Sequence, residues 1–247
     1  MAPESARRPP SSPAGPSTPR RPPRRDPAQP PPKRRTPKGV IAAKALAHAL
    51  ALTPAAILAW QIREELAGRG GLGADPVAEI EHRLGLWALR LLLIALAVTP
   101  LRQLTGQPVL LRFRRLLGLY AFFYASLHLA AYLILDLKQY WAQIFEEIAK
   151  RPYITVGFAA WLLLVPLALT STQGMMRRLG RRWGQLHKLV YAVAVLAVLH
   201  FWWLVKSDIR EPLLYAWILA ALLGWRLYRR IADARRRGVA STAAPRA

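Results

Sequence analysis

The sequence contains no cysteine among its 247 residues. Without thiols the chain forms no disulfide, holds no iron–sulfur cluster, and binds no haem through a thiolate or a c-type attachment. Any iron centre must therefore be held by histidine or methionine. The chain has five histidines and three methionines, so the candidate ligands are few enough to consider one by one.

Acidic residues are also scarce, since 13 Asp and Glu oppose 36 Lys and Arg and the formal net charge is +23. A balance this basic would by itself suit a nucleic-acid binder. However, 53% of the residues are hydrophobic and several long stretches carry almost no charge. These facts agree when the charge lies in loops and tails outside a membrane. We therefore expect a membrane protein that touches lipid and binds no nucleic acid.

The two ends of the chain differ in composition from its middle. Residues 1–39 are rich in Pro, Ser and Arg, with ten basic and two acidic side chains. A segment of this kind buries too little apolar surface to fold, and its long basic region lacks a cleavage site of the signal-peptide type. We predict a disordered cytoplasmic tail at 1–39, a membrane domain at 40–230 and a basic cytoplasmic tail at 231–247.

The membrane domain is predicted from six apolar spans. Each is close to the roughly 20 residues that a helix needs to cross a hydrocarbon core. Because only helices satisfy their own backbone in lipid at this length, the expected fold is an all-α, polytopic bundle of six transmembrane helices. The predicted spans are residues 40–60, 82–101, 115–135, 153–172, 184–205 and 212–228.

The charges of the connecting loops predict the orientation of this bundle. The loop at 102–114 has three Arg and no acid, and the loop at 173–183 has four Arg and no acid. The loop at 61–81 has five acids against two Arg, whereas those at 136–151 and 206–211 are neutral. Basic loops face the cytoplasm, so this alternation places both termini there.

Two histidines in the apolar spans are expected at the same depth. At 1.5 Å per residue, His128 lies roughly 20 Å and His200 roughly 24 Å from the cytoplasmic face. An imidazole in hydrocarbon is costly and is read as functional, and histidine is a common axial ligand of haem iron. We therefore predict that His128 in the third span and His200 in the fifth span bind one haem b iron between them. Hydrogen bonding between helices or proton relay is the alternative for such residues.

The third candidate ligand, His187, is expected roughly 5 Å from the cytoplasmic face. The span that contains His128 offers no histidine at that level, and Arg114 stands where a partner would be. On an ideal helix His187 and His200 also point about 140° apart, although a bend would change this angle. His48 is a weaker candidate in the first span, and His82 is read as an interfacial residue.

Several strings in the chain resemble the MsrQ (formerly YedZ) family. This family comprises the haem-binding membrane subunits of the MsrPQ methionine sulfoxide reductase system. The resemblance covers about residues 40–230, and more distantly the histidines resemble the ferric reductase transmembrane domain. The matching strings are GGLGADPV (70–77), RRLLGLY (114–120), SLHLAAY (126–132), RPYITVG (151–157), LTSTQ (169–173), LGRRWGQLHKLVY (179–191) and HFWW (200–203).

The resemblance implies an electron-transfer subunit in the bacterial inner membrane. Such a subunit takes electrons from the quinone pool, with FMN as an associated cofactor, and passes them through haem b to MsrP. That partner is a periplasmic molybdopterin enzyme that repairs oxidised methionines in envelope proteins. The family's haem-linked histidines correspond to His128, His187 and His200. Arg114 stands where the ferric reductase family has a histidine, which bears on whether a second haem is bound.

Two other functions stay open from the residues alone. The first is a stand-alone transmembrane metalloreductase or oxidase fed by a separate flavin reductase. The sequence has no downstream nucleotide-binding domain, which argues against direct use of NADPH by this chain. The second is a non-redox membrane protein whose histidines relay protons. A bis-imidazole haem spectrum that depends on His128 and His200 separates the redox functions from the last one.

Overall fold

The structure is a computed structural model that describes residues 38–137, 146, 149–205 and 208–243, with side chains to residue 237. Throughout these residues the chain is helical and contains no strand, which agrees with the all-α prediction. Most of the predicted tail at 1–39 lies outside the described residues. Its last two positions belong to the first helix, which starts at Lys38.

The described part of the chain forms eight α-helices, a 3-10 turn at Pro108–Leu110 and a π-helical turn at Tyr132–Asp136. In chain order the α-helices are α1 (Lys38–Leu66), α2 (Pro76–Thr105), α3 (Leu111–Ala131), α4 (Pro152–Leu169), α5 (Gln173–Leu179), α6 (Arg181–Leu186), α7 (Leu189–Leu204) and α8 (Arg210–Ala243).

Five stretches are long and apolar enough to cross a membrane: residues 38–66, 76–105, 108–136, 152–169 and 181–204. They contain the first five predicted spans almost completely. The sixth predicted span, 212–228, lies in α8 but is not among the five. Arg226 and the arginines that follow it make this helix more polar than the others. By length and composition five helical stretches are therefore able to cross a membrane, and the sixth span stays a prediction.

Helix α2 lies at the centre of the bundle. Half of the residues in its most apolar 18-residue stretch are buried, compared with 6% in the corresponding stretch of α1. Its leucines supply much of the core, and Leu96 is only 1% exposed. Helices α2 and α3 pack together closely, as do α4 and α7, and α8 packs against α2 and α7. The bundle is thus built around two helix pairs that meet in the core.

The start of α2 follows from its sequence. Asp75 is the N-cap, and its side chain accepts a hydrogen bond of 3.1 Å from the backbone N–H of Ala78. Pro76 comes next, at a position where a missing N–H costs nothing. The preceding loop contains the spacing G-x-G-x-x-G at residues 68–73. It follows a helix rather than a strand, so this spacing is not a dinucleotide-binding fingerprint.

Helix α1 is held by a tyrosine of α3 next to its internal proline, Pro54. The hydroxyl of Tyr124 donates to the carbonyl of Ala51 at 2.7 Å and accepts from the N–H of Ala55 at 3.0 Å. Proline removes a helical hydrogen bond and disturbs the preceding turn. The Tyr124 hydroxyl therefore hydrogen-bonds to the two backbone groups that flank Pro54, the carbonyl of Ala51 and the N–H of Ala55. Tyr124 is only 1% exposed.

The predicted fifth span is not one uninterrupted helix. Helix α6 ends at Leu186, His187 and Lys188 form a turn, and α7 starts at Leu189. The backbone of His187 stays in the right-handed region, with φ −70° and ψ −3°. The angle of about 140° expected between His187 and His200 on an ideal helix does not apply, because the turn at His187 and Lys188 separates α6 from α7.

Candidate functional site

The imidazoles of His128 and His200 face each other across the core. His128 lies in the last turns of α3 and His200 near the end of α7. Their ring centroids are 6.1 Å apart and the ring planes are inclined at 73°. The structure therefore brings together the two histidines that the sequence places at matching depth.

A backbone hydrogen bond orients each of these rings. Nδ1 of His128 donates to the carbonyl of Glu81 in α2 at 2.9 Å, and Nδ1 of His200 donates to the carbonyl of Tyr153 in α4 at 2.7 Å. The two bonds span the same separation of 47 residues. Because Nδ1 carries the proton, Nε2 keeps its lone pair, which is the arrangement that a metal-binding histidine needs.

Both rings pack directly against a glycine. Gly85 comes four residues after Glu81, and Gly157 comes four residues after Tyr153, so each glycine stands one turn beyond the accepting carbonyl. A Cβ at Gly85 would lie 3.2 Å from the His128 ring, and a Cβ at Gly157 would lie 2.6 Å from Nδ1 of His200. A glycine at position 157 is therefore required for the His200 ring to reach the helix backbone, whereas at position 85 a side chain would be tight but could be relieved by a small shift.

The two histidines line a cavity of about 550 Å³ between the helix pairs. This volume is within the usual range for small-molecule and cofactor sites. The walls are mainly apolar, with side chains from α2, α3, α4 and α7. Representative wall residues are Leu89, Leu92, Ala125, Leu129, Trp161, Leu164, Val193 and Ala197.

Polar groups are concentrated at one end of this cavity. That end is formed by the starts of α2 and α4 and the ends of α3 and α7, and we call it the His128 end of the bundle. Glu81, His82, Asp136 and Arg151 line the cavity there. His82 also lies 3.7 Å from a carboxylate oxygen of Glu211. His82 therefore lies where the starts of α2 and α8 approach each other, and its assignment to the membrane interface stays a prediction.

The pair of imidazoles that lines the cavity fits a haem iron. An imidazole nitrogen binds a transition metal at about 2 Å, so two rings on opposite sides of one metal have centres roughly 6 Å apart. The separation of His128 and His200 is 6.1 Å. Their fixed Nδ1 protons and the apolar walls are also what an axially ligated, largely apolar macrocycle requires.

His187 lies at the opposite end of the bundle, which we call the His187 end. Its Nδ1 donates to the carbonyl of Trp183 at 3.1 Å, and its ring stacks on the Trp183 indole with centroids 4.0 Å apart. Nε2 is buried and has no hydrogen-bond partner within the described residues. Arg114 is within electrostatic range of this ring. The structure thus separates His187 from the other two histidines.

His48 does not join any of these histidines. Its Nδ1 shares a hydrogen bond of 2.9 Å with the hydroxyl of Tyr120 in α3. His48 is exposed on the surface of α1, and α1 packs only lightly on the bundle. Its environment is that of a surface side chain bound to a neighbouring helix.

The sequence analysis did not identify Gly85 and Gly157 as site residues. A signal was present, because each glycine follows the accepting residue by four positions and each accepting residue precedes its histidine by 47. That repeat becomes meaningful only when the helix contacts are known. Tyr191 was likewise not predicted as a site residue. Its ring lies 5.1 Å from the guanidinium carbon of Arg226.

The helical bundle and a family comparison together define the class of protein. Residues 84–198 match the family described as "Ferric reductase like transmembrane component". The matched range includes His128 and His187 and ends two residues before His200. With five helices able to cross a membrane, the chain is a multi-pass membrane protein with a ferric reductase like transmembrane region.

Similar curated proteins identify the family more closely. The "Protein-methionine-sulfoxide reductase heme-binding subunit MsrQ" of Xanthomonas euvesicatoria pv. vesicatoria (strain 85-10) is 69% identical over 212 residues, which are 85% of this chain and 97% of the relative. The protein of the same name from Bordetella pertussis (strain Tohama I) is 51% identical over 177 residues, 71% of this chain and 84% of the relative. The chain belongs to the MsrQ family.

Proposed function

We propose that this chain is a haem b-binding electron-transfer subunit of a methionine sulfoxide reductase system. The observation that carries the proposal is the 6.1 Å separation of the His128 and His200 rings, each with Nδ1 bound to a backbone carbonyl. The names of the similar proteins, heme-binding subunits of protein-methionine-sulfoxide reductase, support it. In this role the chain transfers electrons, and a partner subunit carries out the catalysis.

In the proposed site the imidazoles of His128 and His200 would hold the haem iron. A haem b bound there supplies reversible one-electron chemistry at its iron. The carbonyls of Glu81 and Tyr153 keep each Nε2 directed away from the helix that accepts the Nδ1 proton. Apolar side chains exclude water from the space between the rings, and such burial is one of the factors that set a haem potential.

We further propose that the chain has six spans in a bacterial inner membrane, with both termini in the cytoplasm. The alternation of basic and non-basic loops supports this orientation. It directs the His128 end, with its polar cavity mouth, toward the periplasm. Electrons then pass from the quinone pool, with FMN as a further cofactor, to MsrP, a periplasmic molybdopterin reductase that docks at this end.

His187 is proposed as a further axial ligand at the His187 end. Its Nε2 is buried and has no hydrogen-bond partner within the described residues, although its Nδ1 is fixed by Trp183. A buried nitrogen of this kind usually has a partner. Iron would satisfy it, and a second haem at this end would shorten the distance that electrons cross between the membrane faces.

A stand-alone metalloreductase is the second candidate function. The match of residues 84–198 to the ferric reductase like family favours it. In that case a separate flavin reductase would supply the electrons and a metal ion would accept them. The two functions share the same haem site and differ in the electron donor and the electron acceptor.

The test begins with the absorption spectrum of the purified, haem-loaded protein. We expect a low-spin bis-imidazole b-type spectrum whose His128/His200 component is lost in both His128→Ala and His200→Ala, leaving at most a component that depends on His187. His48→Ala is the matched control, because this histidine is exposed and bound only to Tyr120. A colourless wild-type protein, or both variants retaining the full spectrum, would contradict the proposed ligation.

The electron acceptor is tested separately with the dithionite-reduced protein. Rapid reoxidation by a periplasmic molybdopterin methionine sulfoxide reductase, with little reaction toward ferric chelates, supports the subunit function. The opposite pattern favours the metalloreductase. His200→Ala serves as the control in both reactions, since its reoxidation should be slow with either acceptor.

A further inference from the structure

The His187 end of the bundle contains a group of arginines that are partly buried among the helices. Arg102 lies near the end of α2, Arg114 lies near the start of α3, and Arg226 and Arg229 lie in α8. Within the described residues none of the four forms an ion pair with a carboxylate. An uncompensated cluster of partly buried cations is costly unless a ligand neutralises it.

Contacts between α2 and α8 place three of these arginines at the same end of the interface between the two helices. The two helices run parallel, since successive contacts join His82 to Glu211, Arg90 to Tyr215, Leu96 to Arg226 and Gln103 to Trp225. Arg229 is one turn beyond Arg226, and Arg102 lies between one and two turns beyond Leu96. Arg102, Arg226 and Arg229 therefore share the same end of the α2–α8 interface.

Each of these three side chains has a buried nitrogen without a hydrogen-bond partner in the described part of the chain. The atoms are Nε of Arg102, Nη1 of Arg226 and Nε of Arg229. Arg226 uses its other terminal nitrogen to donate to the carbonyl of Leu96 at 2.6 Å and stacks over Tyr191. Buried N–H groups of native proteins nearly always have an acceptor, so three orphaned donors in one region call for a ligand.

A role in membrane orientation alone does not account for this arrangement. Arginines that only determine topology can extend into water, where every N–H group is solvated. Here the three nitrogens are inaccessible to solvent although the side chains are partly exposed. Arg114 adds a fourth positive charge within electrostatic range of Arg226. The cluster therefore offers directed donors as well as charge.

We propose that Arg102, Arg226 and Arg229 form a phosphate-binding site at the His187 end of the bundle. Guanidinium groups match the oxygen geometry of phosphate through paired N–H donors, and three of them exceed the charge that a phosphate dianion neutralises. The phosphate belongs either to a nucleotide-type cofactor such as FMN or to the headgroup of an anionic lipid. The site is separate from His128 and His200 and does not depend on haem ligation there.

The first experiment measures phosphate binding to the full-length, haem-loaded protein in an uncharged detergent. Thermal unfolding is followed while inorganic phosphate is titrated against chloride at constant ionic strength. We expect phosphate to raise the unfolding temperature of the wild type. Loss of one charge-assisted contact in Arg102→Gln or Arg229→Gln should weaken apparent binding about tenfold or more. Arg112→Gln, at an exposed arginine near the start of α3, should bind phosphate like the wild type.

Two further measurements distinguish the sources of the phosphate. Tighter binding of FMN than of riboflavin, lost in Arg102→Gln, identifies a nucleotide phosphate. Retention of phosphatidylglycerol but not phosphatidylcholine in native mass spectra, also lost in Arg102→Gln, identifies a lipid headgroup. The proposal is wrong if phosphate, FMN and phosphatidylglycerol bind the wild type and the variants equally. It is also wrong if none of the three binds the wild type.

The contribution of Arg226 is tested with a variant that keeps its positive charge. Because Arg226 also contacts Leu96 and Tyr191, its loss can disturb folding. Arg226→Lys keeps the charge and removes the paired donors, so it should bind phosphate more weakly than the wild type while keeping the haem spectrum. Wild-type phosphate binding in a folded Arg226→Lys variant would exclude Arg226 from the site.

Discussion

Gly157 of α4 packs against the imidazole of His200 so closely that a methyl group at its α-carbon would stand 2.6 Å from Nδ1 and 2.8 Å from Cε1. The same ring donates to the carbonyl of Tyr153, one turn earlier in α4. The position of His200 is therefore set by the backbone of α4 on two sides, and Gly157 is the residue that makes this approach possible.

Gly157→Ala should displace the His200 ring and weaken haem binding at the His128/His200 site. The added methyl cannot be accommodated without movement, because its nearest neighbours would be atoms of the His200 ring, which a hydrogen bond to Tyr153 holds in place. Overpacking of this kind costs about 1–3 kcal/mol. We expect a lower haem content, or a shift from a low-spin to a high-spin spectrum. Gly118→Ala is the matched control, since nothing lies within 4 Å of its Cβ position. Equal haem spectra for the two variants would contradict this packing role.

Gly85→Ala should produce a milder form of the same defect. A Cβ at Gly85 would lie 3.2 Å from both Cε1 and Nδ1 of His128. A shift of a few tenths of an ångström relieves such a contact, so the ligand geometry should survive with a smaller change in haem affinity. The comparison is made by titrating haem into the apoproteins of both variants. A larger loss for Gly85→Ala than for Gly157→Ala would reverse the predicted order.

Tyr124→Phe should destabilise the bundle without changing the haem spectrum. The hydroxyl of Tyr124 pairs with the carbonyl of Ala51 and the N–H of Ala55 beside Pro54. Removing it leaves buried backbone groups unpaired, which costs roughly 1–3 kcal/mol. Thermal unfolding in detergent measures the loss, and Tyr228→Phe, at an exposed tyrosine, is the control. An unchanged unfolding temperature for Tyr124→Phe would exclude this role.

His187→Gln should leave the His128/His200 site intact. The two sites lie at opposite ends of the bundle, and His187 contacts Trp183 rather than either of the other histidines. If His187 binds iron, as we propose, the haem-to-protein ratio of this variant falls while the spectrum of the remaining haem matches the His128/His200 pair. An unchanged ratio would remove His187 from the ligands.

The orientation of the chain can be tested by single-cysteine labelling, since the native sequence contains no cysteine. Ala74→Cys probes the loop before α2, Gln107→Cys the loop before α3, and Ala234→Cys the end of α8, all at exposed positions. In intact cells a membrane-impermeant maleimide should label only Ala74→Cys. Lysis should expose the other two, and labelling of Ala234→Cys in intact cells would contradict six spans with cytoplasmic termini.

The first five spans were predictable because their signal is composition. A run of about twenty apolar residues must be helical in lipid whatever its neighbours are. The sixth is less clear, since α8 mixes apolar residues with Arg226 and Arg229 and continues to Ala243. Arg226 in that helix bonds to the backbone of α2, a contact that no pattern within α8 reveals.

The pairing of His128 with His200 was accessible from depth alone. Rise per residue is constant in a helix, so position along the chain converts directly into position along the membrane normal. The rotation of each helix about its axis is not constrained in this way. The break at His187, which the sequence analysis did not predict, shows how local backbone changes alter that rotation.

The sequence by itself determined that this protein is a helical membrane bundle and that any iron it holds is not bound by a cysteine thiolate. These conclusions depend on composition, loop charge and the absence of cysteine, which packing cannot change. Tertiary structure decided that His128 and His200 face one cavity, that Gly85 and Gly157 admit their rings, and that the arginines of α2 and α8 lie at the same end of the bundle. These relationships arise from the contacts between helices, because side chains far apart in sequence become neighbours only when the helices pack.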